Sequence, residues 1–231
     1  MLPPNRRQTL RLALGAVVGS LIVDASAWAD DFWYDLHGDD GGPVRNTRLP
    51  GELTGELAGL PSIIWAGSRD DALTLYEFYD DNCPYCRGGA KDIDRILRQT
   101  PDLRLGLINN AVLSPRSVES AKVALAMLSL KGSSLAYALQ QRLMAMSGPA
   151  DGERALRIGV ELGVDRELLR QRAESAEVKT MLNRQMQSAA DLGLSATPAF
   201  VLGNSGITGY PGPKSLSKII AAGRVCGEPV C

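Results

Sequence analysis

A strand-like segment that runs into a Cys-x-x-Cys pair constrains the fold of this 231-residue chain more than any other feature. Mostly apolar side chains fill both alternating faces of residues 73–78, with Glu77 as the charged exception, and this pattern predicts a central strand covered on both sides. Cys83 follows after a short turn, and Pro84 suits the first turn of a helix. We therefore expect Cys83 and Cys86 at the N-terminus of a helix that follows a buried strand.

The remaining periodicities predict an α/β fold. Helical spacing of apolar residues covers most of the second half of the chain and is interrupted by glycines at positions 132, 148 and 163. The order of elements indicates helices packed over a small mixed sheet. The predicted elements after the first helix are a strand at 103–109, a helical stretch at 114–192, strands at 198–203 and 207–209, and a helix at 213–224.

The helix N-terminus is the reason to expect chemistry at the cysteine pair. Unpaired backbone N–H groups and the positive end of the helix dipole both favour a thiolate over a thiol. Cys83, the outer residue, is therefore predicted to be the nucleophile. Cys86, almost one turn on and mostly buried, is predicted to attack a mixed disulfide formed by Cys83. Taken alone, the pair is also compatible with an inert disulfide or with a Cu(I) site.

The composition argues against several other kinds of site. His37 is the one histidine of the chain, which disfavours Ser/His triads, zinc enzymes and histidine proton relays. A formal net charge of -1 gives no broad cationic field, so nucleic acid is not expected as a partner. We expect no metal ion and no cofactor, because the redox-active group would be the Cys83–Cys86 disulfide itself.

Residues 1–29 have the pattern of an export signal. Arg6, Arg7 and Arg11 precede an apolar run at 12–23, and small residues suited to cleavage follow it. The paired arginines resemble a twin-arginine signal, with the general secretory route and an uncleaved membrane anchor as the alternatives. An exported chain folds in an oxidising compartment, where disulfides persist.

Residues 30–71 are predicted to form an N-terminal extension of the main domain. A Gly-Glu-Leu sequence occurs twice, beginning at Gly51 and at Gly55. One interpretation is a loosely helical arm that lies on the main domain, and the other is an oligomerisation arm that builds a homo-oligomer. The repeat is accompanied by leucines on one helical stripe, at positions 49, 53, 57 and 60.

The second pair of cysteines lies at the end of the chain. Four cysteines allow three disulfide pairings, and local pairing is the most economical one. Cys226 and Cys231 would then close a small loop and stabilise the fold by about 2 kcal/mol. We expect this disulfide to staple the tail at 226–231. A second redox centre is the alternative, but no helix follows Cys226 to activate a thiolate.

Together these motifs resemble those of a known family. The match rests on the run Glu-Phe-Tyr-Asp-Asp-Asn-Cys-Pro-Tyr-Cys at 77–86, on the long helical stretch after Ser114, and on Ala-Thr-Pro-Ala-Phe at 196–200. The chain resembles, over about residues 60–224, the thioredoxin-fold disulfide oxidoreductases of the bacterial periplasm, in the DsbA-like branch with a helical insertion. The resemblance implies a thioredoxin-like domain at 72–225 with its insertion at about 114–194.

The resemblance implies roles for further residues. In that family the proline matching Pro198 is cis and faces the cysteines, and the backbone beside it, at Thr197, pairs with the substrate peptide. Glu77 matches a buried acid beneath the active site, where a carboxyl with a raised pKa takes the proton from the second cysteine. Pro84 and Tyr85, between the cysteines, are expected to shape the surroundings of the sulfur and to contact substrate.

The function implied is that of a periplasmic thiol–disulfide oxidoreductase that forms or rearranges disulfides in exported proteins. Unfolded or misfolded exported proteins and a membrane redox partner are the expected partners. Thr197 before Pro198, and Pro-Tyr between the cysteines, look more like the isomerase and suppressor-of-copper-sensitivity relatives than the main oxidase, yet both directions stay open. The alternative function is a copper-binding or copper-stress thiol protein that uses Cys83 and Cys86 without turnover.

Overall fold

The computed structural model of the protein describes residues 33–68 and 73–231, so the expected signal segment at 1–29 lies outside the described residues. None of the described helices is long and apolar enough to cross a bilayer. The strands are β1 (Arg45–Arg48), β2 (Ile64–Gly67), β3 (Leu73–Tyr79), β4 (Leu103–Asn109), β5 (Ala199–Leu202) and β6 (Ser205–Thr208). The helices are α1 (Gly51–Ala58), α2 (Pro84–Gln99), α3 (Pro115–Lys131), α4 (Ser133–Ala145), α5 (Gly152–Glu161), α6 (Arg166–Ala173), α7 (Ala176–Asp191) and α8 (Pro213–Cys226).

The six strands form one mixed sheet in the order β1-β6-β5-β3-β4-β2. Strand β3 runs parallel to β4 and antiparallel to β5, which makes it an inner strand as its sequence predicts. Its residues belong to two cores: Leu75 and Tyr79 pack on the side of α2, whereas Tyr76 and Phe78 pack on the opposite side. Because Glu77 alternates with Tyr76 and Phe78, its side chain lies on the α2 side of the sheet.

The segment predicted as an N-terminal extension is built differently from the expectation. Strand β1 pairs with β6, and β2 pairs with β4, so the described part of residues 30–71 supplies both edge strands of the same sheet. The expected boundary at residue 72 is therefore not a structural one. Each edge strand has only four residues, polar in β1 and apolar in β2, and neither alternates between polar and apolar side chains, which is why the sequence pattern does not reveal them. Helix α1 lies between them, and a side chain at Gly55 would meet no atom within 4 Å, so this glycine serves no close helix contact. The oligomerisation role stays a prediction.

Helices α3 to α7 form the helical insertion between β4 and β5. Ser114 caps α3 as its sequence predicts, because its Oγ accepts a hydrogen bond from the Ser117 backbone N–H at 3.2 Å. Gly132, with φ of 80°, ends α3 and allows α4 to start in a new direction. Helix α3 packs against each of the other insertion helices, and its residues at 123–127 are fully buried.

The C-terminal tail is held by a disulfide and by one carboxylate. Cys226, the last residue of α8, is bonded to Cys231, which is the local pairing that the sequence predicts. Within the loop, the Glu228 carboxylate accepts hydrogen bonds from the Tyr34 hydroxyl at 2.7 Å and from the Ser205 hydroxyl at 2.9 Å. The Glu228 carboxylate in the tail therefore links Tyr34 of the N-terminal segment to Ser205 of β6.

Candidate active site

The cysteine pair lies at the start of α2, directly after the turn that follows β3. Cys83 is the N-cap of α2, Pro84 is its first residue, and the Cys83 Sγ accepts a hydrogen bond from the Cys86 backbone N–H at 3.4 Å. Both cysteines are free thiols in this structure. The position of the pair at a helix N-terminus agrees with the sequence prediction, and Tyr85 projects outward with 70% of its surface exposed.

One expectation about the pair is corrected by the structure. The sequence predicts Cys83 as the outer residue, yet it is only 2% exposed, against 1% for Cys86. The cover comes from the segment before β5, where the Thr197 carbonyl oxygen lies 3.1 Å from the Cys83 sulfur and accepts a hydrogen bond from it while the thiol is protonated. A residue 114 positions away in sequence therefore shields the sulfur that the local pattern places at the surface.

The peptide bond between Thr197 and Pro198 is cis, as the resemblance implies. It stands directly before β5, and the Pro198 carbonyl accepts a hydrogen bond from the Gly209 N–H at 2.8 Å. Because β5 is the neighbour of β3, the Thr197–Pro198 segment reaches the same end of the sheet as Cys83. The structure thus brings together the two motifs that the sequence keeps far apart.

The two thiols have different acidities. The pKa of Cys83 is lowered from 9.0 to about 6, first by the hydrogen bond from the Cys86 thiol, and further by the Thr197 side chain and by the backbone N–H groups of Cys86 and Tyr85, while burial opposes the shift. The pKa of Cys86 is raised well above its ordinary range by the hydrogen bond to Cys83, by burial and by the charge of Glu77. Cys83 is therefore the thiolate at neutral pH, and Cys86 keeps its proton.

This difference gives a spectroscopic prediction. In a pH titration of the reduced protein followed by the ultraviolet absorbance of thiolate, we expect one thiolate to appear with a midpoint at about 6. The physical reason is that the Cys86 thiol, and then the backbone N–H groups at the helix N-terminus, donate hydrogen bonds to the charged form. A Cys83→Ser variant should lose this transition. A midpoint near 9 in the unchanged protein would contradict the assignment.

Glu77 is buried beside the cysteines, where the resemblance implies an acid. Its residue surface is 3% exposed, and burial together with the charge at Cys83 raises its carboxyl pKa to about 8. Its charge in turn raises the pKa of Cys86. At neutral pH the carboxyl is therefore mostly neutral but close enough to its pKa to exchange a proton.

The turn between β3 and α2 connects the site to the helical insertion, and the sequence analysis did not predict this connection. Asn82 forms a two-way bond with Ala150: its Nδ2 donates to the Ala150 carbonyl at 2.9 Å, and its Oδ1 accepts from the Ala150 N–H at 2.7 Å. The Asp80 carboxylate accepts from the backbone N–H groups of Asn82 at 2.8 Å and of Leu113 at 3.0 Å. The sequence signal for this connection is the polar run 80–82, which lies between a buried strand and the start of a helix.

Arg87 completes this connection from the other side of the pair. Its Nε donates to the Asp81 carbonyl at 2.6 Å, and its Nη1 donates to the Gly148 carbonyl at 2.7 Å. The guanidinium therefore bridges the active-site turn and the loop between α4 and α5. Hydrogen bonds from Asn82 and Arg87, the sequence neighbours of the two cysteines, therefore join the turn and α2 to the insertion.

An apolar groove lies beside the site, between the segment after β4 and helix α7. Val112 and Leu113 are about half exposed, at 48% and 52%. The groove has a volume of about 640 Å³. Its lining consists of Ala111, Val112, Leu113, Ser114, Pro115, Val118 and Met186. The Asn110 side chain, directly before the groove residue Ala111, donates to the Ser195 carbonyl at 3.2 Å, two residues before Thr197.

Within residues 33–68 and 73–231 no group of three or more His, Cys, Asp and Glu side chains is arranged to hold a metal ion. The donors that the site itself offers are the two cysteine thiols. Their geometry suits thiol–disulfide exchange, because one sulfur is ionised while the other retains its proton beside a buried acid.

Comparison with known proteins agrees with this site. A search of curated proteins by sequence finds no significant match. Among solved structures, the chain is similar to a thioredoxin-like oxidoreductase from Silicibacter pomeroyi DSS-3, with 30% identity and a TM-score of 0.66 over 72% of this chain and 94% of that one. The thiol-disulfide exchange protein alpha-DsbA2 from Wolbachia pipientis shares 19% identity, with a TM-score of 0.67 over 74% of this chain and 94% of that one. The catalytic domain of Proteus mirabilis ScsC shares 22% identity, with a TM-score of 0.65 over 75% of this chain and 96% of that one.

The family model that matches the sequence covers the site and both motifs. It is described as a DSBA-like thioredoxin domain and matches residues 74–221, which include Glu77, both active-site cysteines and Pro198. The matched span begins within β3 and ends within α8, so it takes in the whole helical insertion. The chain belongs to the family of DsbA-like thioredoxin domains, whose members are thiol–disulfide oxidoreductases.

Proposed function

We propose that the protein exchanges disulfides with exported proteins in the periplasm through a mixed disulfide on Cys83 that Cys86 resolves. The observation that carries the proposal is the acidity difference within the pair: Cys83 at the N-cap of α2 has a pKa of about 6, while Cys86 keeps its proton. The export pattern at residues 1–29 supports the periplasm as the compartment. A membrane redox partner would restore the oxidised pair.

The exchange proceeds in two substitutions. A substrate thiolate attacks Cys83 of the Cys83–Cys86 disulfide, a mixed disulfide forms, and Cys86 leaves with the electron pair and takes up a proton. A second substrate thiolate then attacks its partner sulfur in the mixed disulfide, and Cys83 leaves as a thiolate. The low pKa of Cys83 makes it a good leaving group in this second step. Rearrangement of a wrong disulfide uses the same bonds, beginning with attack by reduced Cys83.

Exposed apolar side chains and backbone groups around the Cys83 sulfur would hold an unfolded chain. The exposed Tyr85 ring and the half-exposed Val112 and Leu113 side chains offer apolar contacts on the insertion side. Backbone beside the cis bond at Thr197 supplies groups for pairing with an extended peptide, as the family resemblance implies. These contacts do not read a particular side-chain sequence, which suits many different unfolded or misfolded clients.

The lowered Cys83 pKa favours the oxidising direction. At pH 7 a shift from 9.0 to about 6 stabilises the reduced pair by roughly 1.4 kcal/mol, which corresponds to about 30 mV of additional oxidising power. We therefore expect the mature chain, beginning at Asp30, to oxidise a reduced test protein. The assay should follow recovery of that protein's activity, with Cys83→Ala as the inactive control.

A second arm of the experiment uses the same test protein with scrambled disulfides. Reactivation that requires Cys83 would add isomerase activity and would support residues 30–71 as an oligomerisation segment. The result that contradicts the proposal is stoichiometric Cu(I) binding by Cys83 and Cys86 without turnover of either form of the test protein, since that outcome describes a copper-holding thiol protein.

A further inference from the structure

The loop between β6 and α8, residues 209–212, contacts the site but takes no part in the exchange described so far. Strand β6 pairs with β5, with Thr208 opposite Ala199, so the loop leaves the sheet beside the cis proline. Its first residue, Gly209, donates its backbone N–H to the Pro198 carbonyl at 2.8 Å. The start of the loop is therefore bonded to the segment that covers Cys83.

Tyr210, the next residue of the loop, lies against α2. A Cβ atom placed at Gly89 would lie 3.0 Å from the Cδ2 and Cε2 atoms of the Tyr210 ring, so the ring packs directly on the helix backbone there. The Tyr210 hydroxyl donates a hydrogen bond to Asp92 Oδ2 at 3.1 Å. Burial and the charge of Asp92 raise the pKa of Tyr210, so the hydroxyl keeps the proton that it donates. Tyr210 therefore joins the loop to α2 by a close ring contact and by a hydrogen bond.

The contact with Gly89 is made on the helix that carries both cysteines. Gly89 is three residues after Cys86, and both lie among the buried residues of α2. At a rise of 1.5 Å per residue, Gly89 lies about 9 Å along α2 from Cys83. Because a helix moves largely as one body over such a distance, a displacement of α2 at Gly89 also displaces the cysteines.

These contacts close a ring around the reacting sulfur. The Thr197 carbonyl oxygen lies 3.1 Å from the Cys83 sulfur. The Pro198 carbonyl holds Gly209, and the next residue, Tyr210, holds α2, whose N-cap is Cys83. The gap between the sulfur and the cis-proline segment therefore depends on Tyr210 as well as on the pairing of β3 with β5.

The far end of the loop is anchored too. The Pro211 carbonyl accepts a hydrogen bond from the Asp39 N–H at 2.8 Å. The Asp39 carboxylate accepts hydrogen bonds from the backbone N–H groups of Lys214 at 3.0 Å and Ser215 at 2.7 Å, and so caps α8. With both ends of the loop held, a change in the side chain at position 210 alters the spacing between the loop and α2.

We propose that Tyr210 is a positioning residue that sets the gap between the Cys83 sulfur and the Thr197–Pro198 backbone, and so the rate at which an extended peptide reacts. This inference rests on the proposed function of the same site. A peptide that pairs with backbone at Thr197 while its sulfur meets Cys83 needs the correct gap, because a misplacement of about 1 Å can cost up to about 10²-fold in rate. A small disulfide that meets the sulfur alone does not need it.

Two probes with the same leaving group separate these cases. One is dithiobis(nitrobenzoate), and the other is a short unstructured peptide whose single cysteine is disulfide-bonded to one nitrothiobenzoate group. The Cys83 thiolate attacks one sulfur, the new disulfide forms, and the coloured aryl thiolate leaves with the electron pair. At pH 8 Cys83 is ionised, since its pKa is about 6, so small changes in acidity do not affect the rates.

We expect Tyr210→Ala to slow release from the peptide probe about tenfold and to change the first phase with dithiobis(nitrobenzoate) less than about twofold. Tyr210→Phe keeps the ring on Gly89 and should restore the peptide rate to within about threefold of the unaltered protein. Tyr137→Ala is the matched control, because the Tyr137 hydroxyl donates to Asp94 Oδ1 of the same helix at 3.1 Å, but from α4. This control should leave the ratio of the two rates unchanged.

Gly89→Ala tests the same contact from the helix and decides the question even where Tyr210→Ala fails to fold. Alanine favours the helix, yet its methyl group would lie 3.0 Å from the Tyr210 ring, which must shift. We expect a selective loss of about threefold with the peptide probe. Equal slowing of both probes, or an unchanged peptide rate in Tyr210→Ala and Gly89→Ala, would overturn the inference. An unaltered protein that releases no aryl thiolate from the peptide probe would instead count against the proposed function.

Discussion

A Cys86→Ala variant is expected to accumulate as a covalent mixed disulfide with its substrate. Cys83 keeps its helix N-terminus and attacks a substrate disulfide, but no second thiol is present to resolve the product. Alanine is the suitable replacement because Cys86 is 1% exposed, and a serine hydroxyl there would need a buried partner. Incubation with the scrambled test protein, followed by non-reducing electrophoresis, should show most of the variant shifted in mass by one substrate molecule.

The control for this trapping experiment is the double variant Cys83→Ala, Cys86→Ala, which should form no adduct. The unaltered protein should form only a transient one. The reverse pattern, with an adduct in Cys83→Ala and none in Cys86→Ala, would show that Cys86 is the attacking thiol. Adducts that involve the tail cysteines would support the alternative interpretation of Cys226 and Cys231 as a second redox centre.

A Glu77→Gln variant is expected to be more stable than the unaltered protein and slower in resolving a mixed disulfide. The carboxyl pKa is raised from 4.5 to about 8, so in the folded protein the acid is held protonated while the unfolded chain ionises. The cost is close to zero below pH 4, grows as pH rises from 4.5 to 8, and is complete above pH 8. At pH 7 the carboxyl is ionised in the unfolded chain and protonated in the folded protein, and this difference lowers the free energy of unfolding by roughly 3 kcal/mol.

The measurement is the free energy of unfolding of the reduced protein from guanidinium titrations at several pH values. We expect the stability curves of the two proteins to meet near pH 4 and to separate by roughly 3 kcal/mol at pH 7. Glu56→Gln, an exposed acid on α1, serves as the matched control and should follow the unaltered protein at every pH. Parallel curves for Glu77→Gln would mean that Glu77 is ionised in the folded state.

The raised Glu77 pKa and the lowered Cys83 pKa act in opposite directions on stability. Cys83 favours the reduced folded state as pH rises above about 6, and this contribution is lost as pH falls through that value. Glu77 disfavours the folded state over much of the same interval. The site therefore holds one ionised and one neutral acid close together at neutral pH, which is the arrangement that thiol exchange with proton transfer needs.

Much of the fold could be predicted because its signals are local. The capping of α3 by Ser114, the start of α2 at Pro84 and the strand at 103–109 depend on residues within a turn or two of each other. The predicted strand, helix and strand around the cysteines agree with the structure for the same reason. The edge strands β1 and β2 were not predicted, because their pairing partners β6 and β4 lie elsewhere in the chain. In addition, four residues are too few to show an alternation of polar and apolar side chains.

The sequence by itself determined that Cys83 caps a helix after a buried strand, since this follows from periodicity and helix capping. The buried position of Glu77 is what the family resemblance implies, and the structure agrees. Only the tertiary structure decided how the sulfur is covered and how its turn is held. The Thr197 carbonyl reaches Cys83 from 114 positions away, and Ala150 reaches Asn82 from 68 positions away. Hydrogen bonds of this kind exist only after β5 and the insertion have packed beside β3, so no local pattern encodes them.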